Sequence, residues 1–165
     1  MVGMLPPDLG GLLSKTAIPE PPAADQPSLL KRVQEMLDVH HRLRSDHDLV
    51  KVVEDRLATG AIEGLRRSGL TDDEIYSLII PRRTLTHRRA RREPLSREES
   101  DRAVRLARIA ALGERVFGDS ARAWRWLRAA KRQFDRRSPL QLTATEAGAR
   151  LIEELLYRID EGMAA

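Results

Sequence analysis

One short segment, residues 81–92 (PRRTLTHRRARR), holds six arginines and no acidic residue. Arginine presents a planar fork of N–H donors that fits phosphate oxygens and the acceptor edge of guanine. The segment therefore predicts binding of a polyanion, with nucleic acid as the first candidate. The alternative is an arginine-rich helix that is merely solvated, although solvated faces usually interleave acids with bases.

The positive charge of the chain is concentrated in its middle third. The whole sequence has a formal net charge of +4, yet residues 82–137 contain eighteen Lys and Arg against seven Asp and Glu. Residues 1–81 have nine basic and thirteen acidic residues, and residues 138–165 have two and five. A localised excess of this kind is typical of a surface that meets nucleic acid.

The sequence offers little for catalysis or metal binding. It has no cysteine, and it lacks the GxxxxGK[ST], GxGxxG, GxSxG and HExxH motifs. The histidines do not have the spacing of metal ligands; they are His40, His41, His47 and His87. We therefore expect no enzyme, no cofactor and no metal site. The lack of cysteine, of a signal segment and of a long apolar run predicts a cytoplasmic protein with no membrane partner.

Two short helices should carry the arginine segment. Thr71 and Glu74 have the spacing of a capping box, which predicts a helix that begins there and runs to Ile79. Pro81 should end that helix and occupy the first position of the next one, where its missing N–H costs nothing. Two helices joined in this way predict a helix-turn-helix.

The second of these helices would place its cations along a DNA major groove. Its first turns should reach base edges, and its later residues should lie toward the phosphates. The base-edge candidates are Arg82, Arg83, Thr84, Thr86 and His87, and the phosphate candidates are Arg88, Arg89, Arg91 and Arg92. Leu85 and Ala90 should face the core.

Apolar residues recur at helical spacing on both sides of this pair, so the chain is predicted to be all-α. Residues 1–27 hold six of the nine prolines without any helical period, which predicts a flexible arm. An N-terminal helix should follow within residues 28–45 and end near His40. A second helix should begin at Ser45 or Asp46 and stop near Gly60, and a third, short helix should end at Gly69.

Two further helices are predicted in the next part of the chain. Ser96 and Glu99 form a second capping box, which should open a long helix. Asp119 is a suitable N-cap for the helix after it. There Trp124 should fill the core, while Trp126 should lie at a rim or at a partner surface.

The last helix is predicted to have an unusually wide apolar stripe. Thr143 with Glu146 has capping-box spacing and should open this helix after a basic connection, residues 131–137 (KRQFDRR). The apolar positions are Ala144, Gly148, Leu151, Ile152, Leu155, Leu156 and Ile159. One side of such a stripe can face the core, which leaves the other side for a partner chain.

Three blocks of the sequence carry a family resemblance. They are GLTDDEIYSLIIPRRTLTHRRARREPLSREESDRAVRLARI, VFGDSARAWRWL and SPLQLTATEAGARLIEELLYRIDEG. In this order they resemble the Xre/MbcA/ParS-like antitoxins that pair with RES-domain toxins, and the match covers about residues 45–163. Other helix-turn-helix proteins would share only the first block.

The resemblance implies an antitoxin of a type II toxin–antitoxin system, with an N-terminal Xre-like helix-turn-helix domain and a small C-terminal helical toxin-binding domain. On this chain the division would be an arm at 1–27, an N-terminal helix at 28–45, a DNA-binding domain at 46–112 and a toxin-binding domain at 113–165. The first domain would bind the operon's promoter DNA. The second would bind a cognate RES-domain toxin, which degrades NAD, and close its active site with the last helix and tail.

The resemblance also implies which residues meet the toxin. They would lie between about Arg150 and Ala165, and they are Arg150, Glu153, Glu154, Tyr157, Arg158, Asp160, Glu161, Gly162 and Met163. From the residue types alone, Glu153 and Glu154 with Arg150 and Arg158 are expected to form ion pairs on the surface of the last helix. The toxin, and not this chain, would hold the catalytic residues.

The chain departs from the family pattern at the turn between the two short helices. Ile75 and Ile79 stand where many helix-turn-helix motifs have a small residue and a glycine. A β-branched residue does not easily adopt the left-handed conformation that glycine takes, so the turn is expected to be of another type.

Two other functions stay open from the sequence. A stand-alone helix-turn-helix transcriptional regulator would use its C-terminal domain only for dimerisation, and an interaction adaptor would present the arginines to an acidic protein. For DNA binding we expect a homodimer that places two recognition helices about one DNA turn, roughly 34 Å, apart. With toxin, this dimer would form a higher hetero-oligomer.

Overall fold

The computed structural model describes residues 28–162, and within that range the protein is all-α, as predicted, with one 3₁₀ turn and no strand. The helices are α1 (Leu29–Met36), α2 (Asp46–Asp55), α3 (Gly60–Arg67), α4 (Asp72–Leu78), α5 (Arg82–Arg91), α6 (Arg97–Phe117), α7 (Ser120–Arg128), α8 (Pro139–Leu142) and α9 (Glu146–Asp160). The 1–27 arm and Met163 lie outside the described residues.

The long helix α6 lies at the centre of the fold. It contacts α1, α2, α3, α7 and α9, and it buries side chains along most of its length. The predicted capping box opens it: Ser96 Oγ accepts the N–H of Glu99, and the Glu99 carboxylate accepts the N–H of Ser96. It ends at Gly118, which has a φ of +67°. One continuous core therefore joins the two halves of the chain.

The two short helices predicted around the arginine segment are α4 and α5. The Thr71–Glu74 capping box opens α4, as expected. Ile79 has φ −114° and ψ −64°, so the turn avoids the left-handed conformation that its β-branched side chain disfavours. The position of Pro81 was wrong by one residue, because it precedes the first helical residue, Arg82, as its N-cap.

The second helix ends at Asp55, and the prediction that it continues to Gly60 was wrong. Arg56 leaves the helix with a φ of +67°, and its guanidinium donates hydrogen bonds to the carbonyls of Leu95 and Pro94 at 2.8 and 3.2 Å. Because these tertiary contacts hold Arg56 in a non-helical conformation, α2 ends before it. Gly60 is the first residue of α3 and not the end of α2.

The first helix is part of the same core. Arg32 donates hydrogen bonds to both carboxylate oxygens of Glu114 on α6, at 2.7 and 3.2 Å. A Cβ atom placed on Gly64 of α3 would overlap the carbonyl oxygen of Met36, so α3 reaches α1 closely only because this residue is glycine. The helix ends at Met36, earlier than the predicted end near His40.

The capping box predicted for Thr143 and Glu146 was wrong. The Thr143 hydroxyl donates to the Leu140 carbonyl at 2.6 Å and lies at the end of α8, a short helix that was not predicted from the sequence. The last helix begins after Thr145 instead, whose Oγ1 accepts the N–H of Gly148 at 3.1 Å. Two helix starts lie close together here, because Ser138 caps α8 and Thr145 caps α9.

Candidate nucleic-acid interface and partner-binding helix

Helix α5 exposes most of its cationic side chains and buries only Leu85. An open concavity runs along its outer face. The residues that line this concavity are Arg82, Arg83, Thr84, Thr86, His87 and Ala90. All five predicted base-edge residues are therefore brought together on one face of the helix.

Ala90 was predicted to face the core, and it is exposed. It lies five positions after Leu85 in the sequence, which places it about 140° around an α-helix from that buried side chain. Arg88 lies only three residues after Leu85, and its side chain, not that of Ala90, is partly buried.

Arg88 is held against α6 by an ion pair. Its Nε lies 2.8 Å from Oε2 of Glu99, its Nη2 donates to Oε1 at 3.2 Å, and the two side chains are only 18% and 10% exposed. Glu99 also accepts the N–H of Ser96 at the start of α6, at 2.7 Å. This pair fixes α5 on the long helix α6, so Arg88 is not among the free cations of α5.

The other three phosphate candidates differ in whether a carboxylate pairs with their guanidinium groups. Arg89 pairs with Glu63 of α3. Arg91 lies 3.9 Å from Glu93, and its side chain is exposed. Arg92 caps α5 in the left-handed conformation, with a φ of +55°, and pairs with no carboxylate of residues 28–162. Arg91 and Arg92 thus keep the most available charge at this end of the helix.

A contact between α7 and the start of α4 was missed by sequence reasoning. Arg128 donates to both carboxylate oxygens of Glu74, at 2.6 and 2.9 Å, and to the carbonyl of Gly69 at 2.7 Å. Trp124 Nε1 donates to the carbonyl of Ser68 at 2.8 Å. The partners lie 54 residues or more apart along the chain, so no local pattern could have revealed this contact.

The electrostatics of this contact favour both charges. Burial alone would raise the pKa of Glu74, but hydrogen bonds from the Arg128 guanidinium and the Thr71 N–H hold that pKa below its usual range. The hydrogen bond to Glu74 correspondingly raises the pKa of Arg128. The pair is therefore an ion pair at neutral pH.

Helix α9 buries one side and exposes the other. Ala149, Ile152 and Leu156 face the core. Leu151 and Tyr157 are large side chains that remain 43% and 41% exposed. The wide stripe expected from the sequence thus has an uncovered part, although Ala144 lies before the helix and not on it.

The polar residues predicted to meet the toxin differ in exposure, and the predicted pair of Glu154 with Arg158 is present at 3.9 Å. The exposed ones are Arg150, Glu154, Arg158, Asp160, Glu161 and Gly162. Glu153 is half-buried and pairs with Arg108 of α6 at 3.5 Å, so its expected pairing within α9 was wrong. Asp160 pairs with Arg115 at 3.3 Å.

Two negative findings apply to residues 28–162. No group of three or more His, Asp or Glu side chains in this range is arranged to hold a metal ion. None of the helices in it has the length and apolar character needed to cross a membrane.

The chain matches two family models along most of its length. The Antitoxin Xre-like helix-turn-helix domain matches residues 48–108, and the Antitoxin Xre/MbcA/ParS C-terminal toxin-binding domain matches residues 112–162. A protein named Antitoxin Xre from Pseudomonas putida is 37% identical over 131 residues, which cover 79% of this chain and 82% of that protein. Another Antitoxin Xre, from Yersinia enterocolitica, is 34% identical over 85 residues, covering 51% and 57%.

Proposed function

The chain belongs to the Xre family of antitoxins, and we propose that it neutralises a cognate RES-domain toxin that degrades NAD. In this proposal the last helix and tail, from about Arg150 to Ala165, cover the toxin's active site. The chain performs no turnover, because the toxin holds the catalytic residues. The division into a DNA-binding part at 46–112 and a toxin-binding part at 113–165 belongs to the same proposal.

The outward face of α9 carries this proposal. Leu151 and Tyr157 are 43% and 41% exposed within a segment that matches a toxin-binding domain. Burying such apolar surface against a partner stabilises a complex by roughly 25 cal/mol per Å² before the costs of association are subtracted. Polar residues at spacings of three and four extend this face along the helix; they are Arg150, Glu154, Arg158 and Glu161.

Co-expression with the toxin encoded beside this chain tests the proposal. Leu151→Asp should abolish protection of the cells and allow the NAD level to fall, because it places a charge in the apolar contact. Val50→Asp is the matched control, since Val50 on α2 is also a large exposed apolar residue, at 51%. Equal protection by the two variants would contradict the role of α9.

A truncation after Ile159 separates the tail from the rest of the chain. It should lower inhibition of the toxin and spare DNA binding. Unchanged inhibition would show that the tail does not contribute to neutralising the toxin; the tail includes Asp160, Glu161, Gly162 and Met163.

We further propose that α5 binds the operon's own promoter DNA for autoregulation, which requires the chain to act in the cytoplasm. The exposed concavity with Arg82 and Arg83 at its start supports this role. Gel shifts with promoter DNA at two salt concentrations test it, because binding to phosphates must weaken steeply as salt rises. An affinity for promoter DNA that does not change with salt concentration would contradict this role of α5.

A homodimer is part of the DNA proposal. One helix-turn-helix makes limited contact, and two recognition helices about 34 Å apart would read successive half-sites on one side of the duplex. Promoter footprints should then show two protected half-sites separated by about 10 base pairs. With toxin bound, the same dimer would form a larger hetero-oligomer. A single protected half-site with a monomeric complex would contradict this arrangement.

A further inference from the structure

A second set of free cations lies on α7 and on the connection that follows it. Arg122, Arg125, Arg132 and Arg136 are exposed, and within residues 28–162 no carboxylate lies at ion-pair distance from them. This differs from α6, where Arg105, for example, pairs with Asp101. Neither DNA reading by α5 nor toxin binding by α9 accounts for these charges.

The connection 131–137 is a closed loop and presents its cations from a fixed backbone. Phe134 anchors it in the core at 8% exposure. The N–H of Lys131 donates to the carbonyl of Arg137, and the N–H of Arg136 donates to the carbonyl of Lys131, each at 3.0 Å. Lys131 also lies 5.0 Å from the ring centre of Trp126, which is half-buried.

The ion pair between Arg128 and Glu74 holds this surface beside the first helix of the helix-turn-helix. Arg128 lies one turn after Arg125 on α7, and its partner Glu74 lies in the first turn of α4. A Cβ atom on Gly69 would overlap the Trp124 ring, so α7 also approaches the turn before α4 closely. When a recognition helix enters the major groove, the first helix of the motif crosses the DNA backbone. The end of α7 is therefore held next to α4, the helix that would cross the DNA backbone.

We infer that the exposed cations of α7 and the 131–137 loop form a second DNA-contacting surface, which binds backbone phosphates beside the site read by α5. This inference rests on the proposed DNA binding by α5. The surface strengthens binding to DNA of any sequence, because phosphate contacts carry no base information. DNA is favoured over an acidic face of the toxin because α4, which the Arg128–Glu74 pair joins to α7, is a helix of the DNA-binding motif.

A triple substitution tests the inference by salt dependence. Arg122→Gln, Arg125→Gln and Arg132→Gln together should reduce the slope of log K against log salt by about 2 to 3 for each bound protomer, and therefore by about 5 for the proposed homodimer, since each phosphate contact contributes about 0.9. Affinity near 0.1 M salt should fall by about 100-fold or more. The matched control changes Lys31, Arg42 and Arg44 to Gln, because these are also three exposed cations without ion pairs among the described residues. The control should keep the wild-type slope.

Further arms separate the possible causes. The same three positions changed to Lys should restore the slope, since lysine keeps the charge, and melting curves should show all variants folded. Equal losses in the test and control triples would show a general charge effect and overturn the inference. An unchanged DNA slope with weaker toxin binding would make this a toxin surface and would also overturn it. Wild-type protein that fails to bind promoter DNA would refute the DNA proposal itself.

Discussion

Arg82 and Arg88 lie on the same helix in opposite environments. Arg82 is exposed on the outer face of α5, whereas Arg88 is 18% exposed and paired with Glu99. The sequence predicted which residues of this helix share an outer face at its start, because helical periodicity is local. It could not predict the pairing of Arg88, because the partner lies 11 residues away, beyond a helix break.

Glu74 predicts a pH dependence of stability. Its pKa in the folded protein lies below the ordinary value of 4.5, so the charged carboxylate stabilises the fold above pH 4.5. This contribution to stability is lost as the pH falls through the lowered pKa. Glu74→Gln removes the charge but keeps the capping box. Thermal melting should therefore show the wild type more stable than the variant near pH 7, and the difference should shrink as the pH falls from about 4.5 through the lowered pKa. A difference that stays constant down to about pH 3 would contradict the ion pair with Arg128.

At the scale of elements, helix starts were easier to predict than helix ends. The boxes at Thr71 and Ser96 were confirmed because a cap involves neighbours only three residues apart. For the last helix the sequence predicted Thr143 as the cap, whereas Thr145, two residues further on, holds that position. The end of α2 at Asp55 was also missed, because Arg56 is bound by carbonyls 38 and 39 residues away.

The two ends of α5 should affect DNA binding differently. Arg82→Ala or Arg83→Ala should relax sequence choice by about 1–3 kcal/mol at one base pair, because these side chains lie on the face predicted to read bases. Arg91→Ala should weaken binding to every sequence by a similar factor, because its expected contact is a phosphate. Competition binding with a panel of single-base promoter variants measures both effects. Identical profiles for the two substitutions would refute this assignment of roles.

The close approach of α1 and α3 predicts a selective effect of alanine. Gly64→Ala should destabilise the fold by about 1–3 kcal/mol, because its Cβ would overlap the Met36 carbonyl oxygen and the backbones would have to separate. Gly113→Ala in α6 is the matched control: its Cβ would lie 3.5 Å from the Cβ of Ala123, an ordinary contact. Denaturant unfolding should show the control unchanged or more stable, since alanine favours the helix. Equal stability of the two variants would mean that α1 does not pack on α3.

At the scale of the whole molecule, α6 joins the two parts that the family comparisons separate. One match ends at residue 108 and the other begins at residue 112, and α6 runs unbroken through both positions. The order of the two parts could be predicted from the sequence blocks. Their shared core could not, because it arises from packing of α1, α2, α7 and α9 on one helix. The proposed DNA and toxin faces therefore belong to one body, and each must be tested against both partners.

The most direct test measures two variants against both partners. Arg82→Ala combined with Arg83→Ala alters α5, and Leu151→Asp alters the outer face of α9; each is titrated with promoter DNA and with the toxin. Two separate faces predict a crossed result, in which the first variant loses DNA and keeps toxin, and the second keeps DNA and loses toxin. If either variant weakened both interactions to the same degree, the claim of two separate faces would be contradicted.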